Sequence, residues 1–107
     1  MERYVEVTFQ RMPRDPSVET AAHRWVARLE SANIAVRYAA IFIEQSDRRH
    51  ISVWVTLHLG DGARSTTTAS REDAYVAVGD AFRAARREQL ERTTTGARAR
   101  VAYSFAG

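Results

Sequence analysis

The sequence predicts a single α+β domain of element order β-α-β-β-β-α, a four-stranded mixed sheet with both helices packed on one face. Three observations lead there. Residues 3–9 and 50–59 alternate apolar and polar side chains, the period-two signature of strands half-buried against a core. Residues 16–31 and 70–92 repeat their apolar side chains at three- and four-residue spacings instead, which is the helical period. A chain of 107 residues suffices for one sheet-and-helix core and not for two.

The first strand sets Val5, Val7 and Phe9 on one face and Tyr4, Glu6 and Thr8 on the other. Arg11 to Ser17 breaks that alternation with two prolines, and places Asp15 as an N-cap, Pro16 at the first helical position and Glu19 in the first turn. The first helix buries Val18, Ala22, Trp25, Val26 and Leu29. It leaves Glu19, His23, Arg24, Arg28 and Glu30 for the surface or a partner, and ends near Ser31, where Asn33 suits a left-handed cap. Val36 to Glu44 is apolar on both parities, as expected of a central strand covered on both faces or paired on both edges. After the polar turn Gln45–Arg49, Ile51, Val53, Val55, Leu57 and Leu59 alternate cleanly with His50, Ser52, Trp54, Thr56 and His58. Gly60-Asp61-Gly62 accepts positive φ and turns the chain into a fourth strand, Ala63 to Ala69, rich in threonine. The first crossover is long enough to carry a helix, so strands one and two can run parallel.

For the second helix, Ser70 reads as the N-cap with Glu72 and Asp73 in the first turn, which puts its start near Arg71. Ala74, Tyr75, Ala77, Val78, Ala81, Phe82 and Ala85 make its apolar face; Arg83, Arg86 and Arg87 lie within about one turn of each other on the opposite face. Gly79 lowers helix propensity by about 1 kcal/mol against alanine and marks either a close neighbour or a tolerated residue. Past Arg92, Thr93-Thr-Thr-Gly96 reads as a helix-stopping linker that divides a domain of residues 1–92 from a tail of residues 93–107. Residues 97–105 alternate again, which leaves two readings: a frayed end, or a fifth, edge strand in this sheet or a neighbour's, giving a homo-oligomer.

Composition narrows the function. No apolar run approaches a membrane span and no signal-peptide core is present, so a cytoplasmic protein is expected, without a membrane partner. The absence of cysteine rules out disulfides and thiolate zinc sites and fits a reducing compartment. All 16 basic residues are arginine, which a GC-rich genome explains first and selection for bidentate phosphate contacts second. The net charge of +3 is modest, so a polyanion partner is argued from where the arginines sit. Glu72 and Asp73 are explained by capping, and no nucleophile, histidine relay or glycine-rich phosphate loop accompanies them; neither an enzyme nor a cofactor is expected. His50 and His58 share a strand face but stand roughly 26 Å apart in an extended chain, and His23 beside Glu19 reads as a solvated pair, so no metal site is expected. Trp54 and His58 suit packing under a loop, a tail strand or a partner chain first, and stacking on a base second.

The arginines remain. Arg24 and Arg28 stand one turn apart, and helices lying side by side would join them to Arg83, Arg86 and Arg87 in a two-helix basic ridge suited to phosphate. The plain alternative is a solvated face neutralised by Asp80, Glu88 and Glu91.

The stretch EDAYVAVGDAFRAARREQLE, residues 72–91, resembles the second-helix signature of the ribosome hibernation-promoting factors, or ribosome-associated translation inhibitors, in their short form. MPRDPSVETAAHRWVARLE, residues 12–30, is similar to the same family's first helix and the turn before it, and the Gly60-Asp61-Gly62 hairpin leading to Ser70–Asp73 matches in order and approximate spacing. The resemblance covers residues 4–92. It implies a fold like that of double-stranded RNA-binding domains, and binding to the 16S-type rRNA of the small ribosomal subunit where mRNA and tRNA anticodons would lie. It further implies translational silencing in stress, with no part for DNA. Carried over by position, the family's basic residues fall on Arg28, Arg83, Arg86, Arg87 and Arg92; with Arg24 from the ridge these are the expected RNA contacts. Trp25 stands in mid helix one where a basic residue is common, Glu19 likewise, and Thr93–Gly96 replaces a lysine-rich helix end. The carboxy-terminal dimerisation domain of the long form has no counterpart in these residues, so ribosome dimerisation by this chain alone is not expected. The other functional class compatible with the sequence is a protein-interaction module that self-associates through the tail strand or a sheet edge.

Overall fold

In the computed structural model, which describes residues 4–106 and the side chains of residues 4–92, the chain runs β1 (Tyr4–Gln10), α1 (Pro16–Ser31), β2 (Val36–Gln45), β3 (Ile51–Leu59), β4 (Arg64–Arg71) and α2 (Ala74–Ala106). The strands form one sheet in the order β1-β2-β3-β4, with β1 parallel to β2 and the remaining pairs antiparallel. The parallel pair requires a long crossover, which α1 supplies; the antiparallel pairs need only the turns at 46–50 and 60–63. Element order, sheet and helix placement are as the sequence predicts.

Local chemistry sets α1. Asp15 is extended (φ −119°, ψ 103°) and its carboxylate accepts from the Ser17 and Val18 amides at 3.0 and 3.4 Å, while Pro16 occupies a position whose amide would be unpaired anyway. The helix ends as Asn33 turns left-handed at φ 64°.

The core lies between the sheet and the helix pair. Ala39, Ile41, Ile43, Val53, Val55 and Leu57 point from the sheet into Val18, Ala22, Val26 and Leu29 of α1 and Ala77, Val78, Ala81, Phe82 and Ala85 of α2. α1 packs over β1 and β2, α2 over β3 and β4, and the two helices meet along a seam. Phe82 is fully buried beneath that seam, a burial that stabilises by about 1.5–3 kcal/mol. β2 is paired on both edges but covered on one face only: Tyr38, Ala40 and Phe42 are half-buried on the side away from the helices. Ser65 and Thr67 face α2 from β4, and both are satisfied there. The Thr67 hydroxyl donates to the Ala81 carbonyl at 2.8 Å and the Ser65 hydroxyl to Glu88 Oε1 at 3.0 Å.

Three expectations are corrected. α2 begins at Ala74, capped by Asp73, whose carboxylate accepts from the Val76 amide at 3.2 Å; Ser70 is not the cap. The reason lies in β3: Ser52 and Ile51 pair with Ser70 and Arg71 and so draw those two residues into the sheet. Tyr75, read as core, is 57% exposed, because the buried stripe follows Ala74, Ala77, Val78, Ala81, Phe82 and Ala85 instead. Finally, α2 continues to Ala106, where the sequence reads as a helix-stopping linker followed by either a frayed end or a fifth strand. Thr93–Thr95 and Gly96 each weaken a helix by about 1 kcal/mol or less, too little to stop one already nucleated over several turns, and the alanines and arginines that follow favour helix. With those residues helical, the tail-strand route to self-association has no strand to use, and the sheet edge remains.

Candidate nucleic-acid interface

The exposed side of the helix pair is built around a side chain that the sequence reading assigned to the core. Trp25 is only half-buried; it sits on the α1–α2 seam with its indole stacked on Phe82, ring centroids 5.9 Å apart and planes 7° from parallel. Two cations from two helices lie against that indole. Arg28 in the last turn of α1 has its guanidinium carbon 4.8 Å from the ring centroid, and Arg83 of α2 has its own at 5.3 Å. Trp25, Arg28, Leu29, Ser31, Ala32 and Arg86 line one groove along this seam. A second groove, between α2 and β4, is lined by Thr68, Ala69, Arg71, Asp80, Arg83, Ala84 and Arg87.

The structure thus brings Arg28, Arg83, Arg86 and Arg87 onto one side of the molecule, with Arg24 one turn before Arg28 on α1. It adds Arg71, at the end of β4, which the sequence reading missed by starting the helix there. Parity was the available signal: Arg71 follows Ser65, Thr67 and Ala69 on the helix-facing side of the strand. For Trp25 the signal was its i,i+3 spacing to Arg28.

Neutralisation is sparse. Asp80 binds Arg71 at 2.8 Å and Arg83 at 3.1 Å, whereas Glu88 is occupied with Ser65. Among the described residues, Arg24, Arg28, Arg86 and Arg87 have no carboxylate within ion-pairing distance. Arg92 stands apart from the two grooves. It pairs with Asp61 in the β3–β4 turn and donates to Gln89 Oε1 at 3.3 Å, bracing the hairpin against α2. The Ala63 backbone amide, and after it Arg92, hold the Asp61 carboxyl below its usual range.

The open sheet face has another character. Tyr4, Tyr38, His58 and Arg64 lie in register across the four strands, Tyr4 and Tyr38 stacked at 5.2 Å and His58 edge-on to Tyr38 at 5.2 Å. Phe42 and Trp54 pack edge-on at 5.5 Å. The Tyr38 hydroxyl donates to Glu6 Oε2 at 2.6 Å, which holds its pKa above the ordinary tyrosine value. Trp54 and His58 therefore pack against neighbours within the sheet. His50 bonds Asp47 through Nδ1 at 2.9 Å, and Glu19 is engaged by Arg14. Among the described residues no three His, Asp or Glu side chains gather as a metal ion would require, and no helix is long and apolar enough to cross a membrane.

No protein-family model and no curated protein matches the sequence. Solved structures do match. A ribosomal subunit interface protein from Coxiella burnetii aligns with a TM-score of 0.72 at 14% identity, over 85% of this chain and 98% of that one. The N-terminal domain of Protein Y from Thermus thermophilus aligns at 0.71 and 15% identity, over 87% and 99%. The fold is theirs. At the level of the fold, the family resemblance read in α1 and α2 and the likeness of the aligned backbone agree.

Proposed function

We propose that this protein binds the small ribosomal subunit in the cytoplasm and silences translation, its arginine ridge held against 16S-type rRNA and its body occupying the space of mRNA and tRNA anticodons. The observation that carries this is the gathering of Arg28, Arg83, Arg86 and Arg87 from two packed helices onto one side, three of them without a carboxylate partner among the described residues, in a fold shared with a ribosomal subunit interface protein. The mechanism is occupancy. Guanidinium groups neutralise rRNA phosphates and release their counterions, the α+β domain excludes competing ligands by volume, and no bond is made or broken.

Binding of this kind weakens steeply with salt. Arg83→Glu combined with Arg87→Glu is expected to abolish cosedimentation with small subunits while circular dichroism shows both helices intact. Cosedimentation equal to wild type would defeat the assignment. One observation favours a second reading, self-association through the sheet: Tyr4, on the edge strand β1, is 60% exposed. A monomer in analytical ultracentrifugation at high micromolar concentration would remove it.

A further inference from the structure

Arg83 lies on an exposed surface, yet three neighbours hold its guanidinium. Trp25 supplies a ring face from α1, and Asp80 accepts from Nη1 at 3.1 Å from the preceding turn. The third neighbour is the space above Gly79. A Cβ at position 79 would stand 3.3 Å from Arg83 Nη1 and 3.8 Å from both Cζ and Nη2. Long side chains on a helix fold back toward its N-terminus over the residue four positions earlier, and Gly79 is that residue for Arg83.

Gly79 is not in a left-handed conformation, so its backbone asks for no glycine, and its presence weakens the helix relative to alanine. Chain neighbours and local helix backbone aside, the three heavy atoms nearest to a Cβ built there all belong to the Arg83 guanidinium. What the missing methyl provides is room for one guanidinium.

Arg28 reaches the same indole from the other helix. Two like charges are thereby drawn to one ring, and the one carboxylate that pairs with either among the described residues, Asp80, is shared with Arg71. Such a pair repels until an anion lies between its members. An ordinary surface arginine gives up much rotamer freedom on binding, whereas a guanidinium already fixed gives up little.

We propose that Gly79 and Trp25 are positioning residues that hold Arg83 beside Arg28 as a preset clamp for a phosphodiester of the bound RNA. This rests on the ribosome-binding reading above. Arg28 and Arg83 touch the phosphate; Gly79 and Trp25 act through them.

The test is a mutant cycle on binding to purified small subunits, measured across a salt series. Gly79→Ala raises the melting temperature, because alanine is the better helix former, and yet weakens binding about threefold by displacing the guanidinium. Trp25→Leu, which keeps an apolar cover over Phe82, weakens binding about tenfold and lowers the salt slope by about one contact, while Trp25→Phe restores most of both. In an Arg83→Gln background Gly79→Ala has no further effect on binding. The Arg83 Nε–H resonance, shifted in wild type by the Trp25 ring current, moves toward the free-arginine position in Gly79→Ala. Failure of wild type to bind small subunits overturns both readings. If wild type binds but Gly79→Ala binds equally well, or loses as much in the Arg83→Gln background, positioning alone is overturned.

Discussion

The outer surface of the helix pair and the open face of the sheet both present aromatic rings beside arginine, but they treat charge in opposite ways. On the sheet, carboxylates lie among the rings: Glu6 takes the Tyr38 hydroxyl and Glu44 meets Arg11 at 3.6 Å. On the helices, one aspartate serves a cluster of arginines, four of which have no carboxylate within ion-pairing distance among the described residues. Rings on the sheet pack with one another; the ring at the helix seam packs with cations. The comparison teaches that aromatic residues occur on both faces of this fold, and that sparse counter-charge is what sets the proposed binding side apart. It also predicts that substitutions on the two faces separate into effects on binding and effects on stability.

The largest effect should come from beneath the ridge. Phe82→Ala removes the buried ring under Trp25 and is expected to cost about 3–5 kcal/mol in a denaturant melt, with binding lost alongside. Next comes charge on the helix side alone: Arg28→Glu with Arg86→Glu should weaken small-subunit binding by two orders of magnitude or more, with a melting temperature close to wild type. Trp54→Ala, on the open face, should do the reverse, lowering the melting temperature while leaving the salt slope unchanged. A loss of binding equal to that of the Arg28 and Arg86 pair would erase the distinction between the faces. Smaller still is Arg92→Gln: its guanidinium is already engaged by Asp61, so of the six arginines read as RNA contacts it should change affinity least, with a melting shift of a degree or two. The finest test is optical. Tyr38 should ionise above its ordinary value in an alkaline titration, and Glu6→Gln should bring it back down. Because the folded pKa is raised, the stability contributed by this bond is present below the unfolded tyrosine value and lost as pH rises through the folded one.

Strands and the start of α1 were legible because their signals are local. Alternation fixes which residues of β3 face the core, and Asp15-Pro16 announces its helix without help from elsewhere. The start of α2 was not, since Ser70 and Asp73 are equally good caps and the choice fell to the length of β3. Beyond Arg92, alternating alanine and arginine satisfy a strand pattern and a helix propensity at once, and the helix already running prevailed. The arginines of the ridge could be named from spacing, but Trp25 and Arg71 join them only through tertiary packing. For Gly79 the sequence allowed a close neighbour or a tolerated residue. The close neighbour proved to be a side chain of its own helix.

The hydroxyls of Ser65 and Thr67 have a consequence beyond satisfying β4. A helix resting on a purely apolar sheet can roll about its long axis, because dispersion and burial are indifferent to small rotations. Directional bonds to the Ala81 carbonyl and the Glu88 carboxylate, nearly two turns apart, give α2 a fixed phase. Arg83, Arg86 and Arg87 stand between those two moorings or just beside them. The azimuth at which the cations leave the surface is thus set by two small polar residues on an edge strand, both buried beneath α2.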